Sequence, residues 1–556
     1  MASRAAGGWG KLALSVITML SVSAGCGKST SQSPRMTSAG DAAIAGESPN
    51  EGGAPSGGVP GEGGVPSLSG GGALEGGSPP GGAGEPSSAA EGGVGGEPVP
   101  AAPALSLRAV SIYQTHELPL MQAGSEVVAE DRPAPLVAGK RALVRALFDV
   151  EPGFVNRSLI GVLDLKTPQL TRTLVSERMV TKSSLQDDLA STFVFDVNGN
   201  DLSPNSTYRV RVLEADTTPL ARFPEDGYVP LGAKALPAFE LVLVPFVANG
   251  HAPLTGEAEL SGLRRRLLAL YPSIDVHVSV AAPVTLPYVV NGDGDGWDNA
   301  LDRIYQLRAD AAPAHDVFYY GAMAPDDTFA NYCASDCILG YSTVAEDTDV
   351  DSRGSIGITV FQDGSGTKDA WDTVAHELGH ALGREHAPCG ITDPSDLDSE
   401  YPYANATLGG IYGFDFDAMK LIKPKPAKDV MSYCTPVWIS DYTYRGIFER
   451  LDFIASESFR ALALAPPALF RLARVGRRGE SRWLGERRRG ATSRRAKLDL
   501  LDHAGRRLGE IEAQVVPVDH ARGGYVWLPS AELARWQQLG AASVDLGPSG
   551  GSVLAL

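Results

Sequence analysis

Residues 376–386 read His376-Glu377-Leu378-Gly379-His380-Ala381-Leu382-Gly383-Arg384-Glu385-His386. Residues four apart on an α-helix lie one above the other on one face, so His376 and His380 can hold one ion between their rings. Glu377 projects from the same turn and is not needed as a ligand; it can hold a water against that ion. His386 stands six after His380, where a continuing helix would turn it away. The chain must leave the helix between them, and Gly383 tolerates the left-handed backbone that ends one. Five specified positions in eleven arise by chance with a frequency of about 10⁻⁵ at ordinary composition. Incidental surface histidines are a poor account of the run.

Outward from this run, residues 237–465 alternate strand and helix patterns. Apolar segments at 239–246, 274–280, 316–322 and 354–361 read as strands. Residues 257–271, with Leu260, Leu263, Leu267, Leu268 and Tyr271 at helical spacing, read as an amphipathic helix. Helices are also expected over 297–309, 368–382 (the metal helix) and 441–464. This is an α/β unit whose active helix follows a strand. Residues 104–236 carry short alternating runs at 105–113, 141–150, 158–165, 191–197 and 207–214 and no helical period, which predicts a β-sandwich. Residues 466–556 read as a small all-β domain. The fold expected is therefore multidomain: an α/β catalytic unit, built on a twisted mixed sheet with the active-site helix, between all-β domains.

The N-terminal hundred residues differ in kind. Residues 1–26 resemble an export signal, with Arg4 and Lys11 before the apolar run Leu12 to Leu20, too short to span a bilayer. Ser23-Ala24-Gly25-Cys26 resembles a bacterial lipobox, which makes Cys26 a candidate for lipidation. Val22-Ser23-Ala24 would equally serve ordinary signal cleavage. Residues 27–103 are mostly Gly, Ser, Ala, Pro and Glu and predict a disordered tether. The protein is therefore expected outside the cytoplasm, lipid-anchored at the bacterial cell envelope or else secreted.

Lipidating Cys26 leaves four of the five cysteines, an even number for an oxidising compartment. Cys389–Cys434 with Cys333–Cys337 is one of three pairings, and the other two stay open. A net charge of −18 argues against a nucleic-acid partner. The basic stretch 471–497 is expected to be a solvated β-surface or a contact for an anionic one, and Glu346, Asp347, Asp349 and Asp351 a solvated loop.

The pattern His-Glu-x-x-His-x-x-Gly-x-x-His resembles the zinc signature of the metzincin metallopeptidases, and Asp429-Val430-Met431-Ser432-Tyr433-Cys434 resembles their Met-turn. Ala387, directly after the third histidine, departs from the acidic residue or proline found there in several groups. The cysteines near the third histidine and the Met-turn, together with Tyr433, are more similar to the pappalysin-like group. The resemblance implies one Zn²⁺ held by His376, His380 and His386, with Glu377 as general base and Met431 packed beneath. It also implies Tyr433 as hydrogen-bond donor to the developing oxyanion, and a protein or peptide substrate. An extended substrate is expected along an exposed strand edge, for which 354–361 is the candidate, with side-chain selection in a pocket beside His380. The competing readings are a binding protein that keeps the fold without turnover and a zinc hydrolase of a non-peptide bond. Asn291, Asp293, Asp295 and Asp302 also resemble an EF-hand-like Ca²⁺ loop, against the alternative of a tight turn capping a helix.

Overall fold

The segment leading to the histidines belongs to a six-stranded mixed sheet in the computed structural model. The structure describes residues 105–556 apart from 215–218, 335–336, 457–466, 491, 493, 520–522 and 548–552. The export signal, Cys26 and the tether lie outside the described residues. The strand order is Val276–Val280, Phe239–Val247, Val317–Met323, Gly354–Ile358, Gly340–Ser342, with Val284–Thr285 also paired to Phe239–Val247. The first four strands run parallel, and Gly340–Ser342 runs antiparallel to Gly354–Ile358. Parallel neighbours need a crossover, and helices Glu257–Leu270 and Trp297–Ala311 supply it. The first buries Leu260, Leu263, Leu267 and Leu270, one stripe at three- and four-residue spacing.

This sheet corrects the expected substrate edge. Gly354–Ile358 is an interior strand, hydrogen-bonded on both sides, and the edge strand is Gly340–Ser342. Three residues of Gly-Tyr-Ser are too short for an alternation pattern to reveal. The metal helix spans Thr367–Ala381. The closing helix runs Asp441–Ala455, with Ser440 as N-cap accepting from the Thr443 amide. Its expected extension to 464 stops at Ser456, and the residues after that lie outside the described set.

On the N-terminal side two antiparallel five-stranded sheets stack. One has the order Ser125–Glu126, Glu117–Gln122, Leu105–Tyr113, Ala142–Val150, Phe193–Val197. The other joins Val229–Pro230, Thr207–Leu213, Arg157–Lys166 and Thr171–Val180, with Ala221–Phe223 beside Thr207–Leu213. Their apolar core, including Val110, Phe148 and Leu163, is continuous with Val374, Leu378 and Ala381 of the metal helix. Lys140 crosses the seam and donates to the Leu268 and Tyr271 carbonyls, while Trp438 Nε1 donates to Thr115 O. The metal helix is thus braced from behind by packed hydrocarbon.

The C-terminal sheet has seven antiparallel strands in the order Ser481–Arg489, Ala468–Val475, Gly524–Pro529, Arg507–Pro517, Arg495–Leu501, Ser543–Asp545, Val553–Ala555. A helix, Ser530–Gln538, corrects the all-β expectation; it is rich in Ala, Leu, Gln and Glu and buries Leu533. The basic stretch is a solvated surface only in part. Arg478, Arg488, Arg495 and Lys497 are exposed, while Arg474 is buried against Asp298, Arg489 is buried against Asp349 at 2.6 Å, and the half-exposed Arg482 meets Asp302 at 2.5 Å. In the acidic loop Asp349 is 1% exposed, whereas Asp347 stays exposed. Asp349 and Arg489, far apart in sequence, neutralise each other. Among the described residues, no helix is long and apolar enough to cross a membrane.

Candidate metal centre

His376, His380 and His386 converge, all buried. The His380 Nε2 atom lies 3.1 Å from Nε2 of both His376 and His386. Three nitrogens at about 2.0–2.1 Å from one tetrahedral ion would stand roughly 3.3 Å apart. Each ring is aimed by its other nitrogen. His376 Nδ1 meets Val430 O at 2.7 Å, His380 Nδ1 meets Arg384 O at 2.6 Å, and His386 Nδ1 meets Asp396 O at 3.1 Å. A carbonyl only accepts, so each Nδ1 carries the proton and each Nε2 presents a lone pair to the centre. That donor set of three neutral imidazoles fits a divalent metal.

The turn between the second and third histidines works as the spacing required. Gly383 has φ +80°, and a Cβ there would come within 2.8 Å of Ala345 O. Met431 is buried, its sulfur against Gly379 between the helix histidines, and its carbonyl accepts from the Ala387 amide at 2.9 Å. Asp429, also buried, ties the turn by accepting from the Met431 and Ser440 amides. The bridge Cys389–Cys434 clips the segment after His386 to the segment after Met431, and Cys333–Cys337 closes a short loop. With 45 residues between its ends, the first cross-link stabilises by about 4 kcal/mol in the chain-entropy account. Tyr433 is half-exposed, with its hydroxyl 3.3 Å from His386 Nε2.

Glu377 points under the edge strand. A Cβ on Gly340 would stand 2.1 Å from Glu377 Oε1, so the missing side chain makes room for the carboxyl. Burial raises the proton affinity of Glu377. A second carboxyl accompanies it, which the sequence reading missed: Asp519 of the C-terminal sheet, 3.3 Å from His380 Nε2 and hydrogen-bonded to Glu377. Burial raises Asp519 as well, and a hydrogen bond between two carboxyls needs a proton on one of them. No local pattern announces Asp519, which sits in Val-Asp-His after a strand.

A cavity of about 410 Å³ opens beside His376 and Glu377, lined among others by Ile338, Gly340, Asp372, Thr373, Tyr433 and Val437. Its lining includes Val430, Ser432 and Cys434 of the Met431 segment, but it flanks His376 where a pocket beside His380 was expected.

The residues of the expected Ca²⁺ loop are engaged with other partners. The ligand-bearing groups found among the described residues are the three histidines and the set Glu377, His380, Asp519. Asn291 Oδ1 accepts from the Asp295 amide, Asp293 offers its carbonyl to Arg477, and Asp295 faces Arg478. Asp302 turns away to Arg482 and the Tyr525 hydroxyl. The loop is a turn delivering helix Trp297–Ala311, with Gly296 as its left-handed N-cap.

The model of the Peptidase M66 family, a metallopeptidase family, matches residues 351–437, a stretch holding all three histidines, Glu377, Met431 and Tyr433. No curated protein matches the chain. Among solved structures, a calcium-binding mutant of Bacteroides uniformis beta-glucuronidase 2 is similar at 9% identity, covering 40% of this chain and 29% of that one, with a TM-score of 0.13. A likeness that slight carries no argument. The matched segment and the histidine cluster together support a metallopeptidase.

Proposed function

We propose that this chain is a zinc-dependent endopeptidase of metzincin type that cleaves proteins or peptides outside the cytoplasm. The observation that carries this reading is the trio of Nδ1–H donors to backbone carbonyls, which leaves three neutral Nε2 lone pairs converging beside a buried carboxyl. His376, His380 and His386 would hold the ion. Zinc bound there supplies a Lewis acid for the scissile carbonyl and lowers the pKa of water. Glu377 takes the proton of the attacking water and delivers it to the leaving nitrogen. Its burial helps, because a carboxyl with raised proton affinity is a stronger base. Tyr433, half-exposed at the rim, donates to the oxyanion as it develops. The cavity beside His376 receives one substrate side chain.

The export signal and the Cys26 lipobox-like stretch support a place at the cell envelope, on a tether that lets the folded part reach outward. The cysteine bridges accord with an oxidising compartment. Glu377→Gln tests the chemistry. Zinc content by atomic emission should stay at one ion per chain, while kcat/KM on a cleaved peptide falls at least about 10³-fold. Residual activity within about 10-fold of the parent would sink Glu377 as the base.

A further inference from the structure

The edge strand over the metal histidines is the place where an extended substrate would pair, and part of that edge is already taken. In an antiparallel pair the backbone groups of alternate residues face opposite sides. Leu339 O accepts from Ile358 N, on the sheet side. Gly340, Ser342 and Val344 therefore face outward. Ser342 gives its amide to Asp519 Oδ1 at 2.6 Å and its carbonyl to the Asp519 amide at 3.0 Å. Val344 gives its amide to Pro517 O at 3.3 Å, and Thr343 and Val518 form an antiparallel bridge. Pro517–Asp519 thus runs along the edge as a peptide would and ends with its carboxyl at His380 and Glu377.

We propose that the C-terminal sheet is a fixed wall of the cleft that makes it one-sided, so that the enzyme recognises polypeptides by the residues following the scissile bond. This rests on the peptidase reading. A substrate running in the same sense as Pro517–Asp519 would set the residues before its scissile bond on Ser342 and Val344, where the chain's own backbone sits. Among the described residues, what stays open is Gly340 and the cavity between Ile338, Asp372, Thr373 and Tyr433. Asp519 is on this view part of that wall, a carboxyl that closes the near side of the metal histidines.

The wall is fixed because the segment is packed. Val518 is buried in an apolar cluster with Tyr341, Ile358 and Trp527, which joins the two sheets. Arg474 with Asp298 and Arg489 with Asp349 are buried ion pairs across the same seam. Lifting Pro517–Asp519 off the edge would bare Val518 and break the segment's hydrogen bonds to Ser342 and Val344.

Two series of peptide hydroxamates test the proposal by calorimetry against the zinc-loaded full-length protein. In one the hydroxamate replaces the C-terminal carboxyl, so the residues lie before the scissile position. In the other a succinyl hydroxamate caps the N-terminus, so the residues lie after it. Lengthening from one to four residues should tighten the second series by about 100-fold and the first by less than about 3-fold. A gain of about 10-fold or more in the first series would overturn the one-sided cleft while leaving the peptidase reading intact. If neither series binds more tightly than acetohydroxamate, the peptidase reading falls and this proposal with it. Amide hydrogen exchange gives a readout without turnover or mutation. Ser342 and Val344 should be protected in the free protein, and Gly340 should gain protection with the second series. Fast exchange at Ser342 and Val344, slowed only by the first series, would show a displaceable strap and refute the fixed wall. Asp519→Ala, judged folded by its melting temperature, leaves the backbone of Pro517–Asp519 on the edge, so the first series should still gain less than about 3-fold with length, and a gain of about 10-fold would overturn the backbone wall.

Discussion

The two β-regions touch the metal-bearing part of the molecule by different physics. On the N-terminal side the seam is hydrocarbon, continuous from Val110 and Phe148 through to Val374 and Leu378, with Lys140 and Trp438 donating to carbonyls. On the C-terminal side an apolar patch is ringed by buried Arg–Asp pairs, and the sheet reaches past the seam to put Asp519 at the histidines. The first is a foundation that any well-packed sandwich could supply. The second is a wall, and its charges set which surfaces meet and in what register. Buried ion pairs seldom add much net stability over apolar packing, but losing one partner costs heavily.

Arg489→Met is the most severe test of that contrast. It strands Asp349 without its charge partner and should cost about 3–5 kcal/mol in urea unfolding. The double variant Arg489→Met/Asp349→Leu should recover most of the loss. If the single variant costs under about 1 kcal/mol, the charged seam is ornament and the contrast fails.

The foundation should show itself in acid. His116 lies in the N-terminal seam, edge-to-face with Tyr444 at 4.7 Å, and burial lowers its pKa from 6.5 to about 3. The unfolded chain therefore binds the proton first. Stability from this group is present above pH 6.5 and is lost as pH falls toward 3, on the order of 5 kcal/mol in all. His116→Phe keeps a ring against Tyr444 and should flatten that part of the stability–pH profile. An unchanged slope would mean the acid sensitivity lies elsewhere.

The smallest effect concerns neither seam. Tyr433→Phe should lower kcat by about 10-fold with metal content and thermal stability unchanged, because the hydroxyl acts at the rim and packs little. A change in metal content instead would make Tyr433 part of the support for His386.

Much of the centre was legible because its parts are close in sequence or chemically rigid. His376, Glu377, His380, Gly383 and His386 span eleven residues, and helical geometry converts that spacing into a site. Met431 and Tyr433 were legible only through resemblance, and the structure sets them beside Gly379 and His386. Of the three cysteine pairings the sequence left open, the fold adopts Cys389–Cys434 with Cys333–Cys337. Most of the long strands and helices were readable within a few residues, but the ten-residue strand Thr171–Val180, largely exposed, was missed. The three-residue edge strand was missed as well.

What misled was charge. Arg474, Arg489 and Asp349 each looked like solvent-facing residues when read alone. Local sequence records that a side chain is charged and carries no record of the opposite charge that folding will bring to it. In the Asp-rich loop at 291–302, likewise, Asp295 and Asp302 meet Arg478 and Arg482.

The sequence by itself determined the cluster of metal-binding side chains. Three imidazoles and a carboxylate at fixed helical spacing leave little else for that helix to do, because backbone geometry over two turns is nearly invariant. Only the tertiary structure decided the access. Asp519 reaches His380 from another sheet and covers the edge strand through hydrogen bonds between segments more than a hundred residues apart. Pairing of that kind depends on register and packing across the whole fold, which no short-range pattern encodes.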